Sequence, residues 1–110
     1  MKSDNKLIDE ITALIVKEAS PDQVILFGSH ANGTASPESD IDILVVEPEE
    51  FGPHRSRRKE IVRLSKVIAA FCVPIDILLY SRKEAAHWKH SLNNVVGRAF
   101  REGKALYERP

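Results

Sequence analysis

Three aspartates in two similar segments are the residues of this chain best suited to do chemistry. Asp40 and Asp42 stand in SDIDILVV (residues 39–46), and Asp76 stands in PIDILLY (residues 74–80). Aspartate is depleted in β-strands and an unpaired buried carboxylate is costly, so something must compensate these charges. Carboxylate oxygens clustered without histidine or cysteine suit a hard cation, for which Mg²⁺ is the natural candidate and Mn²⁺ a substitute.

The sequence around the aspartates predicts that their carboxylates meet. IDIL occurs at residues 41–44 and again at 75–78, each time within an apolar run typical of a strand. Because strand side chains alternate between two faces, Asp40 and Asp42 share one face. If the two strands are neighbours in compatible register, Asp76 lies beside them and the three form a metal site. The alternative is that each aspartate lies at a strand end, solvated or capping a turn.

A Gly-Ser pair ahead of the first segment suits a phosphate group. Gly28 ends the short apolar run VILF (residues 24–27) and allows a sharp backbone turn, and Ser29 offers a hydroxyl and an amide N–H where a short helix could begin. Helix N-termini attract anions through unpaired N–H groups and the helix dipole. Such a pair alone is more often a plain turn, but here it forms the spaced pattern G-S-x10-D-x-D.

Helices and strands interleave along the chain in an order that can position these residues. Apolar spacing predicts three longer helices, over about residues 7–19, 53–71 and 81–103. The third is expected to place Trp88, Leu92 and Val95 on one apolar face. Strands are predicted at residues 24–27, 41–46 and 73–80, and the tail KALYERP could add an extended segment. The expected fold class is α/β (α+β), a single domain over residues 1–110 with a small mixed sheet of three or more strands packed by about four helices.

Composition limits the classes of function. Sixteen basic residues balance sixteen acidic ones, so overall charge does not favour nucleic acid or membrane as the main partner. A single cysteine, Cys72, excludes an internal disulfide and a multi-cysteine zinc site, and it fits a reducing compartment. No apolar stretch approaches about 18 residues and no signal-peptide pattern is present, so the expected location is the cytoplasm, with no membrane attachment.

A local basic cluster has several possible roles. The segment HRSRRKE (residues 54–60) places four basic side chains at the start of a predicted helix, where positive charge is unfavourable. They are Arg55, Arg57, Arg58 and Lys59. The cluster could contact a triphosphate, an RNA or an acidic partner, and a solvated helix face is the simpler explanation.

The combined pattern resembles the DNA polymerase β-like nucleotidyltransferase superfamily, and specifically its minimal nucleotidyltransferases. The match runs through LFGSHANGTASPESDIDILVV and PIDILLY, about residues 22–80. The resemblance implies that Gly28 and Ser29 bind the β- and γ-phosphates of a nucleoside triphosphate. His30, which stands where many relatives carry arginine, is a further candidate phosphate ligand, and the alternative is a solvent-facing loop histidine.

The same resemblance implies a reaction and its metal ligands. Asp40 and Asp42 would bind two Mg²⁺ ions, and Asp76 would complete one metal site and help to activate an attacking hydroxyl. Attack at the α-phosphate would transfer a nucleoside monophosphate, AMP if the substrate is ATP, and would release pyrophosphate. The sequence itself does not specify the nucleotide.

The small size of the chain bears on the acceptor. Larger relatives, such as poly(A) polymerases and aminoglycoside-modifying enzymes, add a second domain that holds the acceptor. Minimal members are often paired with a helical HEPN-domain protein as antitoxin and toxin, so the resemblance implies adenylylation of a hydroxyl on such a toxin, with no nucleic acid required. Two alternatives stay open: a non-catalytic antitoxin that acts as a binding scaffold, and a nucleotidyltransferase acting on a small molecule or a nucleic acid.

Overall fold

Four strands and five helices make up the part of the chain that the computed structural model describes, residues 2–110, with side chains described from residue 5. In chain order they are α1 (Lys2–Ala19), β1 (Gln23–Phe27), α2 (Ser29–Asn32), β2 (Ile41–Glu47), α3 (Arg57–Ile68), a 3-10 turn (Ala69–Phe71), β3 (Ile75–Ser81), α4 (Arg82–Trp88), α5 (Val95–Glu102) and β4 (Lys104–Glu108). Within the described part of the chain, no helix combines the length and the apolar character that a membrane span needs.

The strands form one mixed sheet in the order β3-β2-β1-β4. β1 is antiparallel to both β2 and β4, whereas β2 and β3 are parallel and are joined by the crossover helix α3. The expected fold class is confirmed, and the C-terminal tail supplies the fourth strand.

Helices α1 and α3 cover one face of the sheet. Alternate residues of β2 point to this face, where Ile43 and Val45 are fully buried. They pack against buried residues of the two helices, among them Ile11, Ile15 and Leu64. Burying a side chain of this kind contributes about 1.5–3 kcal/mol, so this layer supplies most of the apolar stabilisation of the sheet.

Helices α4 and α5 cover the other face only in part. Leu44 and Val46 of β2 are buried there with Val96 and Ala99 of α5. Gly97 allows this packing, because a Cβ at that position would clash with the backbone carbonyl of Ser91. The cover does not extend fully over β3, where Leu78 and Tyr80 are only half-buried.

The single helix predicted over residues 81–103 is wrong. α4 ends at Trp88, and α5 begins after Asn94, whose side chain accepts a hydrogen bond from the Val96 amide and caps the new helix. Asparagine is a poor helix former and a good N-cap, so Asn94 favours a new start over continuation. Leu92, expected on the apolar face of that helix, is 78% exposed because it lies in the connection between the two helices.

Candidate active site

Three segments far apart in the sequence meet at one edge of the sheet. Because β2 and β3 are parallel they begin at the same edge, and antiparallel β1 ends there. In the observed register Asp42 lies beside Asp76 on β3 and opposite Phe27 on β1, directly before Gly28. The predicted neighbouring strands with compatible register are therefore present, and they bring the Gly-Ser pair to the carboxylates.

The aspartates lie at the open end of the strands and not in the core. Asp42 is half-buried, whereas Asp40, which precedes β2, and Asp76, near the start of β3, are both exposed. Asp42 shares a sheet face with Leu44, on the side of α4 and α5. Both the metal-site interpretation and the strand-end alternative therefore fit the position of the carboxylates. They differ in whether a metal ion or solvent compensates the negative charges.

Repulsion among the carboxylates is visible in the electrostatics of Asp42. Burial raises the pKa of Asp42, and the negative charges of Asp76 and Asp40 raise it further, while the nearby His30 acts in the opposite direction. Among the side chains of residues 5–110, no three carboxylate, histidine or cysteine groups are close enough to hold one ion between them as they stand. The strand register therefore places the carboxylates within electrostatic reach, and metal binding stays a prediction.

Gly28 brings the backbone of the first motif into contact with the second. Its φ of 73° lies in the left-handed region that favours glycine. A Cβ at this position would clash with the carboxylate of Asp42. Only glycine therefore satisfies both the turn out of β1 and the close approach of Asp42.

Helix α2 begins directly at Ser29, as the sequence allows. The amides of Ala31 and Asn32 donate to the carbonyl of Gly28, and the amides at the very start of a helix lack intrahelical partners. Gly33, with φ of 82°, ends the helix. The hydroxyl and amide of Ser29 are thus presented at the sheet edge that carries Asp42, where they could bind a phosphate.

His30 lies in α2, but its ring contacts the backbone of the following loop. The His30 Nε2 atom is 3.2 Å from the carbonyl oxygen of Ser39, the residue before Asp40. Sequence reasoning missed the role of Ser39, because a bond from a side chain to a carbonyl nine positions away leaves no pattern in the residue types.

The four basic residues of the HRSRRKE segment have different environments. Arg55 forms an ion pair with the buried Glu47 at the end of β2. Arg57 pairs with Glu84 at 2.5 Å and also donates to a backbone carbonyl of β3. Both arginines therefore lie at the opposite end of β2 and β3 from the aspartates and have structural partners. Arg58 and Lys59 are exposed, which fits a solvated helix face for these two.

Glu47 is a buried acid that sequence reasoning did not single out. It is 1% exposed, and its Oε2 atom has no hydrogen-bond partner among the described residues. Burial and the neighbouring Glu60 raise the pKa of Glu47 to about 7, against the opposite effect of Arg55. The sequence signal that could have identified Glu47 was its position at the end of an apolar strand.

The sequence matches a known family over most of its length. A profile of the nucleotidyltransferase domain family matches residues 9–98, which include all three aspartates and the Gly-Ser pair. The chain belongs to this family. No curated protein is a significant match to its sequence.

Solved structures share the fold, and three of them are 17–20% identical to this chain. A "putative nucleotidyltransferase" from Sulfolobus solfataricus is 20% identical, with a TM-score of 0.58 over 94% of this chain and 79% of that one. A toxin-antitoxin complex with AMP-PNP is 19% identical, with a TM-score of 0.56 over 92% and 73%. A mutant toxin-antitoxin pair, MntA-HpeT, in which two aspartates are replaced by glutamate, is 17% identical, with a TM-score of 0.55 over 92% and 73%.

Proposed function

We propose that this protein is a Mg²⁺-dependent nucleotidyltransferase that transfers AMP from ATP to a hydroxyl group and releases pyrophosphate. The observation that carries the proposal is the pairing of Asp42 with Asp76 at the sheet edge where Gly28 and Ser29 leave β1. Family membership supports the class of reaction. The choice of ATP and of a hydroxyl acceptor is our proposal.

The three aspartates fit divalent ions by their chemistry. Their donors are all carboxylate oxygens, which Mg²⁺ prefers, and the repulsion that raises the pKa of Asp42 is the kind that a cation relieves. Asp40 and Asp42 would hold two ions, and Asp76 would complete one of the two sites. Bound Mg²⁺ would supply charge neutralisation at the phosphates and at both reacting oxygens.

The remaining roles fall to groups of this chain around the reacting phosphate. The amide and hydroxyl of Ser29, held by the turn at Gly28, would donate to the β- and γ-phosphates and orient the chain of phosphates. Asp76 would accept hydrogen bonding from the attacking hydroxyl and favour its deprotonation. The new bond would form between that oxygen and the α-phosphorus as the bond from phosphorus to the leaving pyrophosphate oxygen breaks. Because the protein itself forms no covalent bond, positioning would provide most of the rate enhancement.

We further propose that the acceptor is a partner protein, a HEPN-type toxin, and that this chain acts as its antitoxin in the cytoplasm. Two of the solved structures that share the fold are toxin-antitoxin complexes, and one of these contains AMP-PNP, an ATP analogue. In the mutant complex the two replaced aspartates are separated by one residue, which is the spacing of Asp40 and Asp42. These likenesses support the proposal through fold and motif spacing.

Intact-mass spectrometry tests the proposal directly. This protein would be incubated with a candidate HEPN-type partner, ATP and Mg²⁺, and compared with Asp42→Asn. We expect AMP-sized mass increments on the partner and a rate about 100-fold lower in the variant, since loss of a metal ligand removes roughly 3 kcal/mol of transition-state stabilisation. Glu49→Gln, which changes an exposed acid at the far end of β2, serves as the matched control and should keep full activity.

Two results would contradict the proposal in different ways. A tight complex with no mass increment, and with toxin neutralisation unaffected by Asp42→Asn, would favour the scaffold alternative. Pyrophosphate release that needs no protein partner, but depends on an added nucleic acid or small molecule, would keep the reaction and replace the acceptor.

A further inference from the structure

We propose that His30 is a positioning residue: its ring fixes the backbone on the N-terminal side of Asp40, and so sets where that carboxylate stands. The inference rests on the proposed function of Asp40 as a metal ligand. It goes beyond that function because it assigns to His30 a role through the backbone of Ser39, in place of direct contact with phosphate.

The hydrogen bond to Ser39 defines which nitrogen of the His30 ring carries a hydrogen. A carbonyl oxygen can only accept, so the Nε2 atom of His30, 3.2 Å from the Ser39 oxygen, must carry the hydrogen. In a neutral imidazole the other nitrogen, Nδ1, is then without hydrogen and can only accept. The neutral ring therefore cannot hold Ser39 and also donate to a phosphate oxygen through Nδ1.

The position of Asp40 shows why such a bond matters. Asp40 lies outside β2 and is exposed, so packing does not hold it. On its C-terminal side the amide of Ile41 donates to the carbonyl of Pro74 at 2.9 Å, which anchors that side to the neighbouring strand segment. On its N-terminal side the carbonyl of Ser39 is held by His30. Asp40 therefore stands between two anchored neighbours.

Other hydrogen bonds in this loop are local and do not reach α2 from Ser39. Ser36 and Ser39 bond to each other across three positions, and Asn32 accepts from Thr34 across two. The bond from Thr34 to the Ser29 carbonyl closes the end of α2 and leaves the later loop unattached. Within the described loop, the His30 ring is the link between α2 and the residue that precedes Asp40.

Three substitutions of His30 distinguish a role of its Nε2 atom from a role of its Nδ1 atom. The amide nitrogen of His30→Gln can reach the place of Nε2, the amide nitrogen of His30→Asn can reach the place of Nδ1, and His30→Ala removes both. We expect His30→Ala and His30→Asn to weaken binding of Mn²⁺ to the isolated protein about 10-fold, as loss of a supporting hydrogen bond does at metal sites, and His30→Gln to restore it. Calorimetric titration with Mn²⁺ measures the affinities.

Hydrogen-exchange mass spectrometry supplies a readout that needs neither metal nor nucleotide. The amides of residues 33–40 should exchange faster in His30→Ala and His30→Asn than in the wild type and His30→Gln, while those of β2 stay protected and show that each variant is folded. Thr34→Ala, which breaks a local bond in the same loop, is the control and should leave Mn²⁺ affinity unchanged.

The outcomes distinguish this inference from the proposed function. Rescue of ATP or Mn²⁺ binding by asparagine and not by glutamine would overturn the tether and favour a contact through Nδ1. Unchanged exchange of residues 33–40 in His30→Ala would overturn it as well. A wild-type protein that binds neither Mn²⁺ nor ATP would defeat the proposed function, whereas the exchange pattern would still decide whether His30 holds the loop.

Discussion

The two ends of the sheet hold their carboxylates in opposite ways. At the end where β2 and β3 finish, acids have arginine partners, and the pairs are Glu47–Arg55, Glu84–Arg57 and Asp22–Arg82. At the end where β2 and β3 begin, Asp40, Asp42 and Asp76 form no ion pair with any arginine or lysine among residues 5–110. One end is built for stability, and the other concentrates negative charge that a bound cation would balance.

The pKa directions follow the same division. Hydrogen bonds from Arg82 lower the pKa of Asp22, and those from Arg57 lower the pKa of Glu84. Burial and like charges instead raise the pKa of Asp42. Glu47 is the exception at the paired end, because its complete burial outweighs the attraction of Arg55. Where burial is moderate, the presence or absence of an arginine partner therefore decides whether the pKa of the carboxyl group is lowered or raised.

Breaking the best-buried pair should have the largest effect on stability. Arg55→Met would leave Glu47 buried without its cation, and we expect the free energy of unfolding to fall by about 3 kcal/mol. Urea denaturation at pH 7.5 measures the change. Arg58→Met removes an exposed neighbour of the same type and should change stability by less than about 0.5 kcal/mol. Equal losses of stability in the two variants would show that the Glu47–Arg55 pair contributes no more than an exposed arginine does.

Divalent ions should act only at the other end. Mn²⁺ at about 100 times its dissociation constant should raise the free energy of unfolding of the wild type by about 2.7 kcal/mol. The same addition should do little for Asp42→Asn. Without metal, Asp42→Asn should be slightly more stable than the wild type, because it removes repulsion from Asp76 and Asp40. Thermal melts with and without Mn²⁺ measure both effects, and a metal-free variant less stable than the wild type would contradict the expected repulsion.

The buried Glu47 and its half-buried neighbour Glu60 predict opposite pH dependences of stability. The folded state raises the pKa of Glu47 to about 7, so stability is full below the ordinary carboxyl range and is lost as pH rises towards 7. Arg63 lowers the pKa of Glu60 to about 2, so its contribution is present above pH 4.5 and is lost as pH falls towards 2. Glu47→Gln should remove the loss on the alkaline side, about 2 kcal/mol between pH 5 and pH 8 by urea denaturation. A fall of the same size in the variant would assign it to other groups.

The exposed pair at the paired end should matter least. Arg82 bonds to Asp22 at 2.5 Å but is mostly exposed, and exposed ion pairs contribute little to stability. We expect Arg82→Ala to lower the midpoint of urea denaturation only slightly, by less than Arg55→Met does, and 1 M NaCl to remove the difference between variant and wild type. A loss of stability as large as that of Arg55→Met would mean that Asp22, which also faces Arg109, depends on both arginines together.

Much of the site could be predicted because it depends on local patterns. The IDIL repeat indicated two strands, and alternation placed Asp40 and Asp42 on one face. That Asp76 would join them depended on the two strands being neighbours in compatible register, which the structure shows. The Gly-Ser pair indicated a turn into a short helix, and α2 starts there. These features follow from strand period and from the conformational freedom of glycine, which are properties of short segments.

Features that depend on tertiary partners could not be predicted. Arg55 and Arg57 looked alike in sequence, and only the fold decides that one meets Glu47 and the other Glu84. The break between α4 and α5 was hidden because Leu92 continues the apolar spacing while Asn94 ends it by capping. The bond from His30 to Ser39 joins a side chain to a carbonyl, which any residue type could supply.

The parallel pairing of β2 and β3 places identical residues side by side: Ile41 with Ile75, Asp42 with Asp76, and Ile43 with Ile77. A slip of one residue would turn Asp76 to the opposite face, and a slip of two would place it beside Asp40 or beside Leu44. The observed alignment therefore sets two like charges side by side, and the contacts between isoleucines on the neighbouring rungs offset that repulsion. A refolded chain that recovers its core recovers the carboxylate pair in the same step.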